Sequence, residues 1–227
     1  MKKQFGKLHI IATPIGNLED ITFRAIKTLK EVDFVLCEDT RVTRKLLNHY
    51  EINKPTISYH HHSKQVKVDR ILSLLKEGKS LGLVSDAGTP GVSDPGGELI
   101  EAVLREFNEK VEIIPIPGPS AIGVIVSVAG INMQNFTFLG YPPHKKGRET
   151  YFKKVAESKI PVVYYESPYR VIKNLELLKK FSDKKVIVGR ELTKMFEEVV
   201  RGEIQEILDY FENKAGKIKG EFTIIVY

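Results

Sequence analysis

The chain has 227 residues, 42% of them hydrophobic, and its 35 basic and 29 acidic residues leave a formal net charge of +6. No run reaches the roughly 18 apolar residues of a membrane span, and the apolar stretch Leu8–Ala12 behind the basic start is too short for a signal-peptide core and reads as a strand. A single cysteine, Cys37, excludes an internal disulfide and suits a reducing cytosol.

Apolar, β-branched runs alternate with amphipathic stretches along the first half. Strands are predicted at Leu8–Ala12, Phe34–Cys37, Thr56–Tyr59, Ser80–Val84 and Val111–Ile116, and helices at Ile21–Leu29, Thr43–His49, Val66–Leu75 and Glu98–Phe107. Such alternation argues for a parallel α/β sheet. Pro115-Ile116-Pro117-Gly118-Pro119 then breaks the rhythm, and a domain boundary is expected there, between residues 1–116 and 117–227. Strands follow at Phe136–Leu139, Val162–Tyr165, Val186–Val188, Glu198–Val200 and Phe222–Val226, with helices at Val171–Lys180 and Ile204–Phe211. Several of these strands lie close together in sequence, so the second sheet is expected to be mixed.

Three segments behind predicted strands are rich in Gly and Pro: Ala12–Leu18, Val84–Gly97 and Pro117–Ala121. In open α/β sheets ligands sit beyond the carboxyl ends of strands, and glycine lets the backbone approach them. Each segment alone reads as a plain turn; three together point to a ligand cleft. No G-x-G-x-x-G is present, and Gly78-Lys79-Ser80 lacks the earlier glycine of a phosphate loop. Two strands run into acids followed by arginine, Glu38-Asp39-Thr40-Arg41 and Glu166-Ser167-Pro168-Tyr169-Arg170. These are helix-capping ion pairs or site carboxylates able to accept a proton. His60 and His62 share one face of a strand end and read as hydrogen-bonding groups for a substrate or as a plain polar strand end; without a further ligand no metal is expected. The densest basic stretch, His144–Lys154, holds five Lys/Arg and two aromatics. It can hold phosphates and stack bases, or form the solvated face of a helix.

In order along nearly the whole chain, these segments resemble the tetrapyrrole methylase superfamily. The resemblance is carried by Ala12–Thr22, Cys37–Arg41, Ser85–Gly96, Pro117–Ala121, Tyr165–Arg170, Arg190–Lys194 and Lys219–Glu221. Ser85-Asp86-Ala87-Gly88-Thr89-Pro90 sets it with the branch acting on small-subunit ribosomal RNA and apart from the tetrapyrrole enzymes. It departs from the family after Tyr59, where His60-His61-His62-Ser63-Lys64 stands for the usual His-Glu-His-Asn-Glu. It also stops at Tyr227, where many relatives continue into a small extension.

The resemblance implies two α/β domains with the cofactor cleft between them. It implies S-adenosyl-L-methionine as cofactor and methylation of a cytidine ribose 2′-hydroxyl in 16S ribosomal RNA by a cytoplasmic homodimer. By the same resemblance the cofactor is held by Pro14, Gly88, Thr89, Val92, Ser120, Ala121, Tyr165 and Leu192. Asp39 and Glu166 are candidate proton acceptors, with Arg41 and Arg170 orienting them or gripping phosphate; Glu191 and Lys194 are further candidates. Two other functions stay open: methylation of a tetrapyrrole or other small molecule, and RNA binding without catalysis.

Overall fold

A computed structural model of the chain describes residues 5–60, 65–94, 96–213 and 218–227. It divides into two compact units, Met1–Ser120 and Ala121–Tyr227.

The first unit is built on five strands: β1 (Lys7–Ile11), β2 (Phe34–Cys37), β3 (Thr56–Ser58), β4 (Leu81–Leu83) and β5 (Glu112–Ile116). They pair in the order β3-β2-β4-β1-β5, every pair parallel. Parallel neighbours need crossovers, supplied by α1 (Phe23–Glu31), α2 (Thr40–His49), α3 (Gln65–Lys76) and α4 (Gly96–Phe107). The strands alternate their side chains between two cores. Leu8, Leu36 and Leu81 pack with Ile71 and Leu75 of α3 and Leu99 and Val103 of α4. Ile11, Val35 and Cys37 pack with Ala25 and Leu29 of α1 and Leu46 and Leu47 of α2. With both faces covered, the strands read as continuous apolar runs.

The second unit opens with a short helix, α5 (Ala121–Ser127), which is absent from the elements predicted by sequence pattern. Its sheet contains β6 (Thr137–Phe138), β7 (Val162–Glu166), β8 (Lys185–Arg190), β9 (Glu198–Glu203) and β10 (Phe222–Val226), ordered β6-β7-β10-β8-β9. β6 and β7 are parallel and the other pairs antiparallel, the expected mixed sheet. Helices α6 (Arg148–Glu157), α7 (Val171–Lys179) and α8 (Ile204–Glu212) bury Phe152, Leu175, Leu178, Ile207 and Phe211 against one face, where they meet Tyr164, Val188, Phe222 and Ile224. Ile125 of α5 lies over Gly189 of β8, where a Cβ would sit 2.7 Å from the Ile125 Cδ1. Among the described residues, no helix is long and apolar enough to cross a membrane.

Candidate active site

The three Gly/Pro-rich segments lie at the carboxyl ends of β1, β4 and β5, which are neighbours in the sheet. Hydrogen bonds stitch them into one surface. Thr13 and Gly88 exchange backbone bonds in both directions, at 2.9 and 3.0 Å. The Thr13 hydroxyl donates to the Ser85 carbonyl at 3.1 Å. The Thr89 hydroxyl donates to the Pro119 carbonyl, also at 3.1 Å. Gly88 has φ +81°, and a Cβ there would press on Ile15 Cγ2 at 3.3 Å. Gly91, at φ +91°, has nothing within 4 Å of a Cβ and faces open space. Asp94 closes the second loop, its Oδ1 accepting from Gly91 and Gly96 N–H at 2.7 and 2.8 Å. Pro14 and Gly88 are buried, Thr89, Val92 and Ser120 half-buried. Pro14, Gly88, Thr89, Val92 and Ser120 thus lie on loops of the first unit, while Ala121 opens α5 of the second.

Asp39 joins this surface from the neighbouring strand β2. Its backbone N–H donates to Asp86 Oδ1 at 3.0 Å. Its side chain caps α2, accepting from the Arg41 N–H at 2.8 Å and, in a forked pair, from the Arg41 Nε and Nη2, the latter at 2.6 Å. The side-chain bond from Arg41, followed by the backbone bond, pulls the carboxyl down to about 2. The capping reading of the Asp-x-Arg pattern describes what it does. Arg41, with its side chain 87% exposed, has donors beyond those that bond Asp39, and they meet no acceptor among the described residues.

Glu166 is buried at the end of β7 with no side-chain exposure. One oxygen accepts from the Ser167 N–H at 2.7 Å and meets the Arg170 Nη2 at 3.1 Å; the other accepts from Asn174 Nδ2 at 2.5 Å. Arg170 donates onward to the Ser167 hydroxyl and, at 3.0 Å, to the Pro142 carbonyl. This is an anchor for two loops. Both candidate proton acceptors are thus engaged within the protein, Asp39 by Arg41 and Glu166 by Ser167, Arg170 and Asn174. Asn174 is not among the residues expected from sequence; it lies in the first turn of α7, which starts just behind Arg170 and so faces the end of β7.

Tyr165 faces away from that anchor, its ring 5.0 Å from Phe138 and 5.4 Å from Tyr141. Leu192 is buried on a turn where Glu191 and Thr193 both take positive φ, +50° and +67°. Glu191 holds that turn: its Oε1 accepts from Lys194 Nζ and from the Glu221 N–H, each at 2.9 Å. Burial raises its pKa, but those two bonds outweigh it and the carboxyl sits below its ordinary value. His60 is described, while His61 and His62 fall outside the described residues; among those residues no group of His, Cys, Asp and Glu could hold a metal.

The basic stretch opens α6, after Gly147 at φ +84°. His144, Lys145, Lys146, Lys153 and Lys154 are exposed. Its aromatics are not stacking platforms: Phe152 is fully buried, and Tyr151 packs edge-on against Tyr164 with ring centres 6.0 Å apart.

A family model, Tetrapyrrole (Corrin/Porphyrin) Methylases, matches residues 7–208. The chain is 44% identical over 222 residues to the ribosomal RNA small subunit methyltransferase I of Thermotoga maritima, covering 97% of this chain and 98% of the relative. It is 43% identical to the same-named protein of Halalkalibacterium halodurans, over 97% of this chain and 75% of that one. Among solved structures, diphthine synthase superposes with a TM-score of 0.75 at 13% identity, over 97% of this chain and 90% of that one. The methyltransferase CobJ gives 0.69 at 18%, over 97% and 93%. Uroporphyrin-III C-methyl transferase from Thermus thermophilus, complexed with S-adenyl homocysteine, gives 0.64 at 16%, over 97% of both chains.

Proposed function

Because the chain belongs to the tetrapyrrole methylase family, we propose that it is an S-adenosylmethionine-dependent methyltransferase whose target is the ribose 2′-hydroxyl of a cytidine in 16S ribosomal RNA. The observation that carries this is identity of 44% over almost the full length of a protein named as a small-subunit ribosomal RNA methyltransferase. The expected cytoplasmic location and homodimeric state belong to the same proposal.

The residues suit such a cofactor. Three loops at adjacent strand ends are stitched together, and the second presents open backbone at Gly91. Pro14, Gly88, Thr89, Val92, Ser120 and Ala121 are proposed to hold it, with Tyr165 and Leu192 as further contacts. When bound, the cofactor supplies an activated sulfonium methyl. The protein's part is alignment, which can account for much of a rate enhancement when the reacting atoms are held in line. Thr13, Asp86 and Asp94 set the loops, and Glu166 and Arg170 lock the segments after β6 and β7. Arg41 is proposed to meet RNA phosphate with the donors that Asp39 leaves free.

The test is transfer of labelled methyl from S-adenosylmethionine to small subunits lacking the modification, followed by digestion to nucleosides. Label in 2′-O-methylcytidine is the expected result. Label in another nucleoside would move the target. Methylation of a tetrapyrrole with none of RNA would replace this reading by the small-molecule one. Cofactor binding with no transfer to either would leave the non-catalytic one.

A further inference from the structure

One end of the second sheet gathers several loops. β7 and β8 both run antiparallel to β10, so they point the same way, and β6 runs parallel to β7. The carboxyl ends of β6, β7 and β8 therefore share an edge with the start of β10, where Phe222 pairs with Glu166 on one side and Arg190 on the other. At this edge stand Tyr169, 93% exposed, Phe196, 70% exposed, and Tyr141, 52% exposed; among the described residues these are the three most exposed aromatic rings of the second unit. Met195, also exposed, lies beside Phe196.

The loops that carry these rings are held firmly. Arg170 ties Tyr169's turn to the Pro142 carbonyl next to Tyr141. The turn before Met195 is pinned by Glu191 and Lys194, and Lys194 also meets Glu221 at 3.1 Å. Aromatic side chains on rigid turns lose little freedom on binding. The acids at this edge are engaged within the protein: Glu166 by Arg170, Glu191 and Glu221 by Lys194, Glu198 by Arg190 at 2.7 Å, and Glu197 by the Thr193 N–H. Lys145, Lys146 and Lys219 are exposed and make no ion pair among the described residues. Separate exposed rings among uncommitted cations suit unpaired nucleotides, whose bases stack on aromatic faces while their phosphates take lysine.

We propose that this edge is the RNA platform of the protein: Tyr169, Phe196 and Tyr141 stack unpaired bases, and Lys145, Lys146 and Lys219 hold the adjoining phosphates. This rests on the reading that the substrate is RNA. It moves the stacking role from Phe152, which is buried, and Tyr151, which is half-buried against Tyr164, to rings that sequence order scatters over more than fifty residues.

The test uses the full chain, a fluorescent unstructured ribo-oligonucleotide and an abasic oligonucleotide of the same length. Tyr169→Ala and Phe196→Ala should each weaken binding roughly tenfold, with an unchanged salt slope. They should have no effect on the abasic probe. Joint replacement of Lys145, Lys146 and Lys219 by Ala should lower the slope of log affinity against log salt by about 0.7 for each phosphate no longer neutralised. Wild-type affinity in both ring variants would overturn the proposal. So would a ring variant that alters sedimentation while RNA binding holds, since the edge would then join two copies of the chain. Failure here is separable from failure of the function: if wild type methylates subunits and the ring variants do so equally well, the platform is wrong and the activity stands. If wild type methylates no RNA yet the ring variants lose oligonucleotide binding, the platform stands and the target is wrong.

Discussion

At the scale of single residues, the acids show how position decides role. Asp39 binds its proton more weakly when folded, with a carboxyl near 2, than a free aspartate near 3.9. Its stabilising effect is therefore complete above about pH 4 and fades as pH falls toward 2. Asp39→Asn keeps an oxygen for the α2 N-terminus but loses the charge. Its thermal midpoint should lie below wild type at pH 5 and converge with it toward pH 2, as melts across that range would show. Its methylation rate at neutral pH should fall less than tenfold, where loss of a true base would remove roughly a hundredfold or more. Tyr164 offers an opposite sign. Its hydroxyl is buried without a hydrogen-bond partner among the described residues, and burial, then the charge of Glu166, hold its pKa well above the ordinary value. An unpaired buried hydroxyl costs stability. Tyr164→Phe should thus leave denaturant stability unchanged or raise it by up to about 1 kcal/mol; a clear loss would reveal a partner for the hydroxyl.

At the scale of elements, the loops depend on glycines whose roles differ. Gly88 sits at φ +81° with Ile15 close by, so an alanine there adds strain of about 1–3 kcal/mol and pushes the second loop from the first. Gly97, in the first turn of α4, has nothing near a Cβ and an ordinary φ. Gly88→Ala should therefore lower both melting temperature and cofactor affinity, whereas Gly97→Ala should lower neither; calorimetry on the two variants separates them. Most elements were legible because β-branched runs and amphipathic stretches alternate, and Phe34–Cys37 and Phe222–Val226 match the observed strands to the residue. α5 was not, because Ala121–Ser127 is short, apolar and placed directly after a proline-rich turn, where periodicity has too few residues to register. α6 was open between helix and RNA-binding stretch, and the inward turn of Tyr151 and Phe152 decided that its aromatics serve the core.

At the scale of the whole molecule, the sequence order of the site says little about its assembly. Glycine-rich segments could be read as strand-end loops, but their mutual bonding rests on β4, β1 and β5 being neighbours, which only the crossover pattern reveals. Likewise the buried anchor of Glu166 and the exposed rings at the far loops depend on β6, β7 and β8 ending on one edge. The second sheet makes a sharp prediction of its own. β10 lies between β7 and β8, with all five residues buried. Ending the chain at Gly220 would remove it and strip the backbone partners from both neighbours, leaving two open edges of the kind that template aggregation. The shortened protein should be insoluble or bind a hydrophobic dye strongly, and a soluble product with native circular dichroism would mean that β7 and β8 can close on each other.

The place of β10 also sets a timetable for biosynthesis. A ribosome translating this chain can expose every strand of the first sheet before residue 120 has cleared the exit tunnel, so that half has all its partners early. The second half has to wait. Its β6–β7 pair and β8–β9 hairpin emerge as separate pieces, and the strand that unites them comes last of the five. A nascent chain that has released β9 but not yet Phe222 presents those two pieces to chaperones and proteases as unfinished, and maturation of this half awaits the arrival of that strand.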